Sequence, residues 1–218
     1  MNFPNAANGV KKIFTSQILE IVSAVAIFIG ALMALIMLVS ASNANEGATI
    51  GFGAGTLVFG LGGIIVSLVA SILYIVGIVK AGRDDHNFKT ALTFVIFGIG
   101  VSIVGSFFQS TNTTVYGICT TIEKITDLCA TCYVIQGIIS LAEQLGNSVI
   151  ANKGKTLLKV IFAVYAVAII GVISYTLILI NPALAVIGYV ILCISLIISI
   201  VSYFLFLSLL AKAKNMFN

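Results

Sequence analysis

The chain has 218 residues, of which 60% are hydrophobic and 8% charged. Soluble domains average roughly 45–50% and 25%. This composition excludes a water-soluble globular fold and points to an integral membrane protein. The net charge of +4 comes from basic residues scattered singly at the ends of apolar runs. No basic patch forms, so nucleic acid is not an expected partner, whereas the lipid bilayer is.

The apolar runs are long and do not alternate in polarity, which fits helices and not the strands of an outer-membrane barrel. The expected fold class is an all-α integral membrane protein, a bundle of six transmembrane helices, with three helical hairpins as one way of pairing them. A single transmembrane domain is expected over 1–218, with spans near 17–40, 53–79, 88–109, 114–145, 155–180 and 183–211. Such a length leaves no room for an appended soluble domain.

The first span follows an amphipathic lead-in carrying Lys11, Lys12 and Glu20. Its apolar core is longer than that of a signal peptide, so it is expected to stay as a membrane anchor. The second span opens on the glycine-rich run GATIGFGAGTLVFGLGG. No strand precedes this run and no Lys-Ser/Thr follows, so it reads as close helix packing, not as a phosphate loop.

Gly63, Ser67 and Ser71 on the second span and Gly98, Ser102 and Ser106 on the third form matching ridges of small residues. Antiparallel packing of the two ridges is the expectation. Between these spans lies KAGRDDHNFK, whose mixed charges suit a solvated loop at the headgroups. Asn112-Thr113-Thr114 matches a glycosylation acceptor before the fourth span. Asn181-Pro182 should turn the chain between the fifth and sixth. The segments beginning at Lys89 and Lys155 align without gaps, a weak sign of a repeated hairpin.

Ten of the eleven basic residues fall on one side if six spans cross. By the positive-inside rule both termini are then cytoplasmic, in what is expected to be a bacterial cell membrane.

The fourth span concentrates the polar chemistry. On a helical wheel Cys129, Cys132, Gln136, Ser140 and Glu143 share a stripe of about 80°. Burying that stripe against neighbouring helices, as a solute path or as interhelical hydrogen bonds, is the expected arrangement. Glu123 and Asp127 share the nearly opposite face, about 30 Å and 24 Å outward from Glu143. They form a candidate outer acidic site.

Cys129-Ala130-Thr131-Cys132 is a CxxC pair that resembles the redox motif of quinone-coupled membrane thiol oxidoreductases. That resemblance implies disulfide exchange through a second cysteine pair. Here only Cys119 and Cys193 remain, far apart in sequence. No metal site is expected, since the single histidine, His86, lies in a linker. Nor do a nucleophile, a base and an orienting acid gather anywhere, so no catalytic residue and no cofactor is assigned. The leading expectation is a non-catalytic transport component, either a conductor of a small solute or ion or the membrane subunit of a larger assembly. A homo-oligomer or a membrane-complex partner is compatible with it. A thiol-disulfide oxidoreductase and a structural scaffold are the alternatives.

Overall fold

A computed structural model describes residues 3–42, 46–178 and 185–217, and all regular structure among them is helical. The helices are α1 (Pro4–Ser42), α2 (Glu46–Ala81), α3 (His86–Phe108), α4 (Thr113–Gln144), α5 (Ser148–Ile178) and α6 (Ala185–Asn215). Among the described residues five helices, α1 to α4 and α6, are long and apolar enough to cross a membrane. The expected fifth span falls on α5, and the end of that span and the Asn181-Pro182 turn lie outside the described residues.

Helix ends follow local chemistry. Pro4 opens α1, where a missing N–H costs nothing because no intrahelical partner exists for it. Asp85 caps α3, its carboxylate accepting from the Asn87 amide at 2.8 Å. Asn112 caps α4 in the same way, accepting from the Val115 amide at 3.1 Å. The candidate glycosylation asparagine thus has a helix-starting job. Gly146, at φ 70°, closes α4. The Asn147 amide reaches back to the Ala142 carbonyl and the Gly146 amide to that of Glu143, the double closure that favours glycine at this position.

Consecutive helices pair: α1 packs chiefly on α2, α3 on α4 and α5 on α6. The glycine-rich run explains the first pairing. A methyl group built on Gly63 would lie 3.2 Å from the Ser23 carbonyl oxygen and the Ile27 amide. One built on Gly53 would lie 3.2 Å from Met37 Sδ. Ser23 Oγ donates to the Gly63 carbonyl at 2.8 Å, sealing the contact.

The expected α2–α3 ridge contact is therefore corrected. Gly63 faces α1, and Gly98 faces α4, where an added methyl would come 2.8 Å from Thr126 Oγ1. Ser71 and Ser106 bond carbonyls of their own helices. Small residues permit close approach without choosing the partner, and here Gly63 and Gly98 each meet a hairpin neighbour, while Ser71 and Ser102 line the space between the helices.

The core is asymmetric. Ala6, Val10 and Ile13 of α1, Ile78 and Ala81 of α2, Phe88 and Ala91 of α3, Val134 to Ala142 of α4, Ile150 to Leu157 of α5 and Leu209 to Ala213 of α6 supply most of it. These are the starts of odd-numbered helices and the ends of even-numbered ones. They meet at one end of the bundle, the closed end. Away from it, large apolar side chains face outward, with Phe28 64% and Phe107 73% exposed. Apolar surface on this scale is far beyond what soluble monomers show.

Candidate functional site

Beyond the closed end the helices enclose an open cavity of about 700 Å³ to which all six contribute. Measured at 1.5 Å per residue from the closed ends of their helices, Glu20 on α1 and Asp127 on α4 lie at nearly the same height, about 25 Å. Both line the cavity, as does Glu123 one turn beyond Asp127. They reach the same space from two helices, α1 and α4. No lysine, arginine or histidine is among the described lining residues.

Hydroxyl and amide groups complete the polar wall. Ser71 and Tyr74 come from α2, Ser102 from α3, Thr131 from α4, Tyr165 from α5 and Ser202 and Tyr203 from α6. Gln17 is buried, and its Nε2 donates to Glu20 Oε2 at 3.1 Å, fixing that carboxylate on the cavity side. Tyr203 Oη donates to the Gln17 backbone carbonyl at 3.0 Å, which holds α6 against α1 at the cavity floor. Thr126 Oγ1 bonds the Glu123 carbonyl at 2.7 Å and presses against Gly98, setting the α3–α4 spacing at the level of Asp127.

The inward face of α4 is continuous. Glu123, Asp127 and Thr131 occupy its cavity half, and Val134, Ile138 and Leu141 occupy its closed half. The stripe expected to be buried lies largely off this face. Cys132 is buried at its inner edge, whereas Gln136 and Glu143 are exposed and Cys129 and Ser140 are half-buried. The reason is chemical: at the closed end α4 is surrounded by aliphatic and phenyl groups, and its apolar face satisfies them without leaving an amide unpaired. Glu143 instead pairs with Lys155 of α5 at 2.6 Å, and Gln144 Nε2 donates to Ser140 Oγ at 3.2 Å.

Cys129 and Cys132 are free thiols outside the cavity wall. Cys119 lies against Gly105 of α3, about 15 Å further along α4. Cys193 falls on a stretch whose side chains lie outside the described set. Among the described residues no three His, Cys, Asp or Glu side chains converge to hold one metal ion.

Family models, curated proteins and solved structures give no match to this chain. Its chemistry is therefore read from the cavity alone. The acidic pair on α4 was visible in the sequence, but its partners were not. Glu20, Gln17 and three tyrosines come from four other helices. A signal did exist: each tyrosine stands alone in an apolar run, and a lone phenol there needs a polar place for its hydroxyl.

Proposed function

We propose that this protein is a six-span membrane component that takes a small polar solute or ion into its central cavity, with both termini on the cytoplasmic side. One observation carries the proposal: carboxylates on membrane-length helices line a shared open cavity, while large apolar side chains cover the outer surface. Ionisable groups at such depth are costly unless they serve a wet pathway. The outward-facing phenylalanines and leucines support insertion in lipid, and the basic residues near the closed end support its cytoplasmic placement. On this reading the closed end is an inner gate and the cavity opens outward.

The oxidoreductase alternative gains nothing from a thiol pair set apart from the cavity, with no second pair among the described residues within reach. A dry scaffold has no use for three carboxylates around an open space.

Reconstitution in vesicles provides the test. Flux of a panel of ions and small solutes should exceed that of empty vesicles and should fall in Asp127→Asn with the melting temperature kept. Absence of any protein-dependent flux would remove the transport reading. Sidedness is checked separately with single reporter cysteines: Asn8, His86 and Asn152 should be labelled by an impermeant reagent only in opened cells, and Thr111 in intact ones.

A further inference from the structure

Resting on the solute-site reading above, we propose that the cavity binds a small organic ammonium ion, with Glu20 and Asp127 balancing its charge and the rings of Tyr74, Tyr165 and Tyr203 surrounding its alkyl groups. The sign of the charge comes first. Carboxylates line the space without a basic residue among the described lining, so a cation is the complementary ligand.

The type of cation follows from how the donors are spread. Stripping water from an inorganic ion requires several oxygens converging on one point, at about 2.0–2.6 Å. Here Glu20 on α1 and the Glu123 and Asp127 pair on α4 stand on two helices around a wide space, and no three acidic, thiol or imidazole groups among the described residues meet. A ligand with a diffuse charge and a body suits such walls. Three tyrosines and Phe206 supply aromatic surface, and Ile75, Val95 and Ile99 supply aliphatic surface. Aromatic rings next to carboxylates are what a weakly hydrated ammonium prefers, because the ring quadrupole attracts the cation and the alkyl groups lose water. The volume of about 700 Å³ lies within the range of small-molecule sites and far exceeds that of a bare ion.

Two polar groups remain for the ligand's own hydrogen bonds. Gln17 is 8% exposed and uses its Nε2 on Glu20, while its Oε1 has no partner among the described residues. Tyr74 Oη also has none there. Neither is sealed away, since no fully buried side-chain oxygen or nitrogen lacks a partner among the described residues. Both residues line the cavity.

The experiment uses the full chain in nanodiscs with radiolabelled choline as the probe. Saturable binding is expected, displaced by tetraethylammonium but not by 3,3-dimethylbutanol, the neutral isostere of choline. Asp127→Asn and Glu20→Gln should each weaken binding at least about tenfold, the size expected for losing a charge partner in a low-dielectric site. Tyr74→Phe, which loses only the hydroxyl, should weaken binding less than Tyr74→Leu, which loses the ring as well and should weaken it about tenfold. Equal displacement by the neutral isostere, or displacement by potassium or magnesium but not by tetraethylammonium, would overturn the proposal. Both comparisons use the unmodified protein and do not depend on a variant that folds. Vesicle flux separates the two levels. Flux of other solutes without choline binding overturns the ammonium site and leaves transport standing, whereas choline binding without flux upholds the site and overturns transport.

Discussion

The Asp84 carboxylate joins the turn between α2 and α3 to the first turn of α1: Oδ2 accepts the Ala6 amide at 2.7 Å and Oδ1 accepts Asn5 Nδ2 at 2.9 Å. A residue that reads as one charge in a solvated linker therefore caps a helix nearly eighty positions away. Its neighbour Asp85 caps α3, so the two acids start two helices from one turn.

Asp84→Ala should lower stability by roughly 1–2 kcal/mol, the usual cost of a lost cap, and Asp84→Asn by less. Thermal unfolding in a mild detergent measures both. Equal loss in the two variants would show that charge and not hydrogen bonding supplies the effect.

At the closed end α1 and α2 touch backbone to backbone. A methyl group on Gly9 would sit 2.6 Å from both the Gly77 carbonyl oxygen and the Ala81 amide nitrogen, which cannot move aside as a flexible side chain could. Gly9→Ala should cost about 1–3 kcal/mol through overpacking. Gly62→Ala meets nothing within 4 Å. It should be neutral or stabilise by up to about 1 kcal/mol through helix propensity. A Gly9→Ala variant as stable as the parent would mean that this contact is looser than the geometry indicates.

Glu143 and Lys155 form an ion pair with side chains 52% and 55% exposed. Such pairs contribute about 0–1 kcal/mol and are weakened by salt. Glu143→Gln should therefore change the melting temperature only slightly, and less still at high ionic strength. Gln136→Leu, at an exposed position outside the cavity wall, should alter neither stability nor solute binding. Loss of binding in Gln136→Leu would return the solute path to that side of α4.

Cys132 is 7% exposed within the core, and Cys129 beside it is half-buried. Serine at 132 places a hydroxyl among apolar groups and should cost about 1–3 kcal/mol, with a smaller cost at 129. Flux and choline binding should survive in both, measured below the melting point. A mixed disulfide trapped at either position in cells would instead support redox chemistry.

The helices were legible because uninterrupted apolar runs leave no alternative at this length, and Asp85, Asn112 and Gly146 mark boundaries by their own side-chain and backbone chemistry. The inward face of α4 was harder. Both candidate faces mix polar and apolar residues, and the choice depends on groups far away in sequence: Phe88, Ile13 and Leu210 at one level, Glu20 and Tyr203 at another. The glycine ridges fail as a guide for a related reason. Gly63 and Gly98 announce that something comes close, while the identity of that neighbour is settled by pairing within hairpins. Glu20 reads as part of an amphipathic lead-in, but α1 starts at Pro4, far before the apolar run, and so carries that carboxylate to the level of the cavity.

The Tyr203 to Gln17 hydrogen bond spans 186 positions of sequence. Most other contacts join a helix to the one made just before it, so synthesis can assemble the bundle pair by pair as the chain emerges. The seat of α6 on α1 is different, since it waits for nearly the whole polypeptide. Until then Gln17 has no α6 beside it, and the vestibule has a missing wall. Ring closure is thus the last event of biogenesis, and a nascent chain stalled before Tyr203 would hold its carboxylates in a cleft open along one side.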